Sequence, residues 1–303
     1  MKKGNPTMTL TKKQFDILDI LIEEDGPITQ RQLEEKTGYS LGSINKNMKE
    51  LSEKKYVADG RITPKGIDVM ENYRVKRAIF IAAGFGTRLV PITFNTPKPL
   101  VRVHGKRIID GLIDACLAAG IEEIYIVRGY LAEQFDQLLY KYPMLKFIEN
   151  PAYNETNNIS SAMCARYHFQ NAYVFEADLL LQTPDLVKKY QYQSNYLGYF
   201  KERTDDWCFE VKDGIIVEHK IGGLNCYHEY GFSYWSQEDG ARLAEDIEKV
   251  YEMPGGKELF WDLVATQIFK DHYKIALREC KEEDIVEIDT YKELKAIDPT
   301  YNV

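Results

Sequence analysis

The run Lys76 to Ala83 (KRAIFIAA) passes without a break into Gly84-Phe85-Gly86-Thr87-Arg88-Leu89. A continuously apolar strand of this kind is buried on both faces, which places it inside an α/β sheet. It ends in a turn with two glycines. Without β-carbons at 84 and 86, backbone N–H groups can approach phosphate oxygens closely, and Arg88 adds a donor fork that stays charged. Two common phosphate loops do not fit. No Lys follows a second Gly at P-loop spacing, and Leu89 stands where G-x-G-x-x-G needs its last glycine.

Beyond the turn, strand and helix signals alternate: helical over 108–119, extended over 124–127, helical over 131–140, extended over 146–148, helical over 158–169, extended over 173–175. This is the pattern of an α/β sheet, whose ligands lie over the carboxyl ends of the strands. The loops after residues 83, 127 and 176 should therefore converge.

The stretch from Ala82 to Val101, A-A-G-F-G-T-R-L-V-P-I-T-F-N-T-P-K-P-L-V, resembles the signature of sugar-1-phosphate and phosphocholine nucleotidyltransferases. That signature is G-x-G-[ST]-R-L-x-P-[LI]-T-x-x-x-P-K-x-L, and every fixed position is met. The resemblance implies a Rossmann-like nucleotidyltransferase domain with a mostly parallel mixed sheet, over residues 76–303. It also implies that Ala82, Ala83, Gly84, Gly86, Thr87 and Arg88 hold a nucleoside triphosphate while Lys98 neutralises charge at the α-phosphorus. Gly129-Tyr130 and Asn157-Asn158-x-x-Ser161 stand at the family's G-Y and N-x-x-S elements, near base and ribose. One departure is Arg107, where the family usually has proline.

Strand 173–175 runs into Glu176-Ala177-Asp178, a place for a hard cation between protein and triphosphate. Asp178 matches the metal-binding Asp of the family's D-x-D, with Glu176 in place of the first Asp. Val286-Glu287-Ile288-Asp289-Thr290 followed by Tyr291-Lys292-Glu293-Leu294 resembles its closing element, so Asp289 is either the second ligand to Mg²⁺ or a helix N-cap. All three tryptophans (207, 235, 261) lie in the C-terminal half, with Phe260-Trp261-Asp262 expected to open a helix. Aromatics beside a carboxylate hold quaternary ammonium groups, whereas a sugar calls for several amide and carboxylate side chains. From about Arg77 onward the chain resembles bacterial CTP:phosphocholine cytidylyltransferases. That resemblance implies Trp207, Trp261, Asp262 and Glu287 around choline.

Residues 1–75 read differently. Phe15, Leu18, Leu21 and Ile22 give a helix over 11–24, and Gly26-Pro27 stops it. Thr29 and Gln32 make a capping box for a short helix ending near Gly38, and Ser40 caps a third helix with Ile44, Met48 and Leu51 on one face. Ser43, Asn45, Lys46, Asn47 and Lys49 are expected to point outward. Asp59-Gly60 is a hairpin-turn signal, and Thr63-Pro64 begins another helix. This succession resembles the winged helix-turn-helix of bacterial regulators, which implies a DNA contact, though such modules also serve in dimerisation or docking.

Charge agrees with two kinds of domain. The net charge is −8, divided as +3 over residues 1–77 and −11 over the rest. No apolar run approaches the roughly 18 residues of a membrane span. The N-terminus lacks a secretory h-region, which predicts a cytoplasmic protein. Cysteines 116, 164, 208, 226 and 280 never form C-x-x-C, so they are expected to be reduced and mostly buried, with no zinc ribbon. Cys226-x-His228 with His219 lacks a fourth ligand for a zinc site.

The sequence thus predicts transfer of CMP from CTP to phosphocholine, with Mg²⁺ on Asp178 and Asp289 and with Arg88 and Lys98 stabilising charge. Another acceptor stands beside phosphocholine: a sugar 1-phosphate, phosphoethanolamine or aminoethylphosphonate. A DNA-binding regulator that only senses nucleotide or choline is the rival from another class. A homodimer is left open.

Overall fold

The computed structural model describes residues 9–24 and 26–302. The reading of the extreme N-terminus falls on residues outside that description. Contacts divide the chain into two compact units, one ending at Arg74 and the other beginning at Val75. No described helix is long and apolar enough to cross a membrane.

In the first unit, α1 (Lys12–Glu23) and α2 (Gln30–Thr37) each begin with a reciprocal capping box, Thr11 with Gln14 and Thr29 with Gln32. Gly38 ends α2 in the left-handed region, and Ser40 caps α3 (Leu41–Glu53). Strands β1 (Val57–Ala58) and β2 (Arg61–Ile62) form the hairpin around Asp59-Gly60, both at positive φ, and Pro64 is the first residue of α4 (Pro64–Met70). Leu18, Leu33, Ile44 and Leu51 are fully buried, as the helical spacing requires. Asn47 departs from expectation. It is buried, and its side-chain amide donates to the carbonyl of Ser43 one turn back, so it satisfies its own helix instead of facing solvent.

The second unit is built on a seven-stranded mixed sheet. The buried run expected from the sequence is β3 (Arg77–Ile81), flanked in parallel by β6 (Glu123–Arg128) and β8 (Ala172–Glu176), with β7 (Lys146–Glu149) parallel at the edge beyond β6. A short hairpin, β4 (Arg102–Val103) and β5 (Lys106–Arg107), leads into α5 (Ile108–Ala118). Arg107 turns inward and donates to both oxygens of Asp110. The segment Ala132–Tyr140 winds as consecutive 3₁₀ turns, and α6 (Ile159–Ala165) covers the other face. After β8 comes β9 (Leu179–Leu181), then two very long antiparallel strands, β10 (Asn195–Lys212) and β11 (Ile215–Trp235), which the sequence pattern did not mark. Their bases join the sheet, β11 pairing with β8 and β10 with β12 (Ala276–Glu279). Helix α7 (Gln237–Glu252) packs beside α6. The chain closes with β13 (Ile285–Glu287), paired with β9, and α8 (Tyr291–Ile297).

Residues 264–268 form a single π-helical turn, where the sequence suggested an ordinary helix opening at 260–262. The five cysteines are free, and Cys116, Cys208 and Cys226 are buried.

One side of the sheet is cemented by Phe80, Phe175 and Phe232 on three adjacent strands, with ring centroids 4.9 and 4.4 Å apart and no exposure. Removing the middle ring leaves a cavity between β3 and β11. Phe175→Ala should therefore destabilise the second unit by about 3–5 kcal/mol, read as a lower midpoint of that unit's denaturant transition.

Candidate active site

The turn after β3 takes the shape its glycines permit. Gly86 lies at φ 61°, and a β-carbon there would sit 3.1 Å from both Lys98 Cβ and Thr93 Cγ2, so a side chain would be strained in conformation and would crowd both neighbours. The loop runs beneath a cavity of about 360 Å³ lined by Ala82, Ala83, Gly84, Gly86, Thr87, Arg88, Lys98, Asn158, Ser161, Asp178 and Asp289. The sequence thus brought together parts of the loops after β3 and β8, the start of α6 and the segment after β13. Gly129 and Tyr130 do not line it. The Tyr130 hydroxyl donates to the carbonyl of Thr93, and Gly129 lies against the ring of Tyr153, so these residues buttress the loop from behind. Phe85, Asn150, Tyr153, Thr156 and Ser160 also line the cavity. Their only sequence signal was proximity to the motifs. Asn150 donates to both Ser160 and Ser161 and so fixes the N-terminal end of α6.

At the floor, Lys98 Nζ donates to Asp178 Oδ2 at 2.7 Å and to Asp289 Oδ1 at 3.0 Å. Arg88 Nη2 reaches the same oxygen of Asp289 at 2.8 Å. Burial works against the charge on Lys98, but the two carboxylates outweigh it and hold its pKa above the ordinary lysine value. The helix cap beside Asp289 is supplied by Thr290, which accepts from the backbone of Glu293, so the carboxylate of Asp289 is free for the floor. Asp178 and Asp289 therefore converge on one point that already carries a positive charge. This is the donor set, all oxygen, that suits a divalent cation such as Mg²⁺.

A second cavity, of about 430 Å³, shares Arg88, Asn158, Glu176, Asp178 and Asp289 with the first. It continues between the base of the long hairpin and residues 260–262. Trp207, Trp261, Asp262 and Glu287 all line it, together with Tyr196, Asp206, His228, Glu229, Gly231 and Phe260. Trp261 is mainly a core residue, packed against Phe169, Tyr196 and Trp235, and presents its indole N–H to Glu176 Oε1 at 3.3 Å. Trp207 is the freer ring, with Phe260 edge-on at 6.0 Å.

Glu176 divides the two cavities. It accepts from Asn158 Nδ2 and Trp261 Nε1, and Gly231 makes room for it, since a β-carbon there would lie 2.3 Å from Glu176 Cγ. Burial, then Asp178 and Asp262, raise its pKa well above the ordinary carboxylate range. Its carboxylate is engaged by these two donors at the boundary of the cavities. Burial likewise raises Glu229 to about 8 and Asp262 to about 7, and it raises Glu287. Glu229 and Asp206 were missed by sequence reasoning because single carboxylates on a strand carry no spacing signal.

The cavities can thus receive a polyphosphate on one side and a cationic group on the other, joined at two aspartates. A Nucleotidyl transferase family model matches residues 77–206, and a MarR family model matches residues 8–62. The 2-aminoethylphosphonate cytidylyltransferase of Lancefieldella rimae is 38% identical over 76% of this chain and 95% of its own length. The choline-phosphate cytidylyltransferase of Streptococcus pneumoniae is 32% identical over 73% of this chain and 96% of its own. The solved CTP:phosphocholine cytidylyltransferase from Streptococcus pneumoniae superposes with a TM-score of 0.69 at 30% identity, covering 75% of this chain and 99% of that one. Taken with the loop, the paired aspartates and the winged helix-turn-helix that precedes them, these likenesses show that the chain belongs to the cytidylyltransferases of the nucleotidyltransferase family.

Proposed function

We propose that the second unit transfers CMP from CTP to a small acceptor with a phosphate or phosphonate at one end and a cationic nitrogen at the other. The observation that carries this reading is the pair of cavities meeting at Asp178 and Asp289, one beneath the glycine loop and the other walled by carboxylates and aromatic rings. Phosphocholine is the acceptor implied by the sequence resemblance. The 2-aminoethylphosphonate named for the L. rimae relative has the same plan, an anionic head and a cationic tail.

The loop 84–87 has backbone donors for the triphosphate of CTP, and Arg88 adds charge at the mouth. An acceptor oxygen attacks the α-phosphorus in line, and pyrophosphate leaves from the opposite side. Asp178 and Asp289 would hold Mg²⁺, which supplies charge neutralisation at the phosphates when bound. Lys98 sits at the same point on a backbone fixed by the 3₁₀ turn Lys98–Leu100, so its ammonium serves the charge that develops there. No covalent enzyme intermediate is required.

The outer face of α3 supports a second role, because Asn45, Lys46 and Lys49 are exposed and Glu50 is drawn away by Gln14 Nε2. We infer that this face contacts DNA. An enzyme carrying a regulatory head accommodates both roles, whereas a pure sensor has no use for the Lys98, Asp178 and Asp289 arrangement.

Lys98→Ala should lower kcat by about 10²-fold or more with the fold retained by circular dichroism; near-normal turnover would remove its assigned role. Trp207→Ala should raise the acceptor KM about two- to thirtyfold, the worth of one cation–π contact, and leave the KM for CTP in place. For the first unit, fluorescence anisotropy with a mixed-sequence duplex should show binding that weakens steeply with salt. The double variant Lys46→Ala, Lys49→Ala should flatten the logarithmic slope by about two. Binding that ignores salt, or none, would remove the DNA contact.

A further inference from the structure

Asn157 and Asn158 stand at the entrance to α6, and both line the cavity beneath the glycine loop. That place suggests a contact with nucleotide, yet their polar groups already hold protein partners. The Asn157 side chain accepts from the backbone N–H of Asn158 at 2.7 Å and donates from Nδ2 to the carbonyl of Glu258 at 3.1 Å. Its backbone N–H donates to the carbonyl of Lys257 at 2.8 Å, and its own carbonyl accepts from Ser160 and from the Thr156 hydroxyl. Asn158 is engaged in the same way. Its Oδ1 accepts from the backbone N–H of Trp261 at 3.0 Å, Nδ2 donates to Glu176 Oε1 at 3.2 Å, and the carbonyl accepts from Ser161 and Ala162. Beyond these bonds each side chain keeps one amide hydrogen and one lone pair on Oδ1.

Three of the bonds run to one short segment, 257–261, which leads from α7 to the acceptor cavity. At its start Gly256 packs so closely under the end of α7 that a β-carbon there would lie 1.7 Å from the carbonyl of Val250. Lys257 and Glu258 are exposed, and Leu259 tucks against the core. Trp261 is buried, whereas Phe260 is 40% exposed. The asparagines thus pin the segment at 257–258 and again at 261, and Phe260 lies between the pins. Its ring stands edge-on to Trp207 at 6.0 Å, and both rings line the second cavity.

We propose that Asn157 and Asn158 are positioning residues for the acceptor: from within the nucleotide cavity they fix segment 257–261 and so hold Phe260 opposite Trp207. The inference rests on the cytidylyl transfer proposed above and adds which residues set its affinity for the acceptor. A ligand of the nucleotide would act on the KM for CTP. Positioning residues act on the KM for the acceptor, because the bonds at stake end on the acceptor wall.

The test uses the full chain with Mg²⁺ and CTP, and phosphocholine and 2-aminoethylphosphonate as acceptors. Asn157→Ala removes the bond to Glu258 and should raise the acceptor KM about two- to tenfold, with kcat and the KM for CTP within about twofold of their starting values. Asn158→Ala, which loses the bonds to Trp261 and Glu176, should raise the acceptor KM further. Phe260→Ala completes a cycle. Since Asn157 acts through that ring, adding Asn157→Ala to Phe260→Ala should raise the acceptor KM by less than about twofold more, well short of the product of the single effects. A rise in the KM for CTP with the acceptor KM unmoved would make the asparagines nucleotide ligands and overturn the proposal. Full additivity in the cycle would overturn it too, as would an equal loss for CTP and both acceptors, which marks a structural role. Calorimetric titration of the acceptors in the presence of α,β-methylene-CTP separates the two readings. Weaker acceptor binding in Asn157→Ala, with no turnover by the unaltered chain, would overturn cytidylyl transfer and keep the positioning role. Turnover by the unaltered chain, with acceptor binding the same in Asn157→Ala, would do the reverse.

Discussion

One lysine ammonium ties together parts of the chain 191 residues apart. Lys98, in the segment that follows the glycine loop, bridges Asp178 at the end of β8 and Asp289 beyond β13. Two carboxylates facing each other beyond the carboxyl end of a central strand repel unless a cation stands between them, and the Lys98 ammonium supplies that charge. The two cavities meet there, since both are lined by Arg88, Asp178 and Asp289.

From that point outward the site becomes more acidic and less solvated. Glu176, Glu229, Asp262 and Glu287 all have pKa values raised first by burial. Buried carboxylates of this number are unfavourable for folding by themselves. They sit on a wall of the second cavity, with donors from Asn158 and Trp261 satisfying Glu176 and with His228 beside Glu287. Glu229 and Asp262 line the cavity itself.

Much of the fold was legible because its signals are local. The Thr29 capping box, the Asp59-Gly60 hairpin and the apolar run before Gly84 each act within a few residues, and the structure shows all of them. The misses have a common physical origin. Asn47 was expected to face out because helical spacing says nothing about a side chain that folds back on its own carbonyl. The long strands β10 and β11 lack clean alternation because buried stretches at their bases and at Cys208-Phe209 are separated by an exposed middle, and bulges shift the register between 204 and 211. The π turn at 264–268 stands where an α-helix was expected, and it packs against β11 and α7.

The sequence by itself determined the α/β class, the helix-turn-helix head, and a glycine loop that shares one cavity with Arg88, Lys98, Asp178 and Asp289. Glycine positions, charge and an apolar strand impose those through near-neighbour sterics and a fixed motif. Only the tertiary structure decided that Gly129 and Tyr130 stand behind the loop, that Trp261 belongs chiefly to the core, and that His219, Glu229 and Asp262 form one corner. Those three residues come from a strand and from a loop beside a π turn, and no spacing along the chain encodes their approach. The rings of Tyr196, Trp235 and Trp261 pack on one another and so fix the backbone that carries Asp262, the residue after Trp261 in the chain.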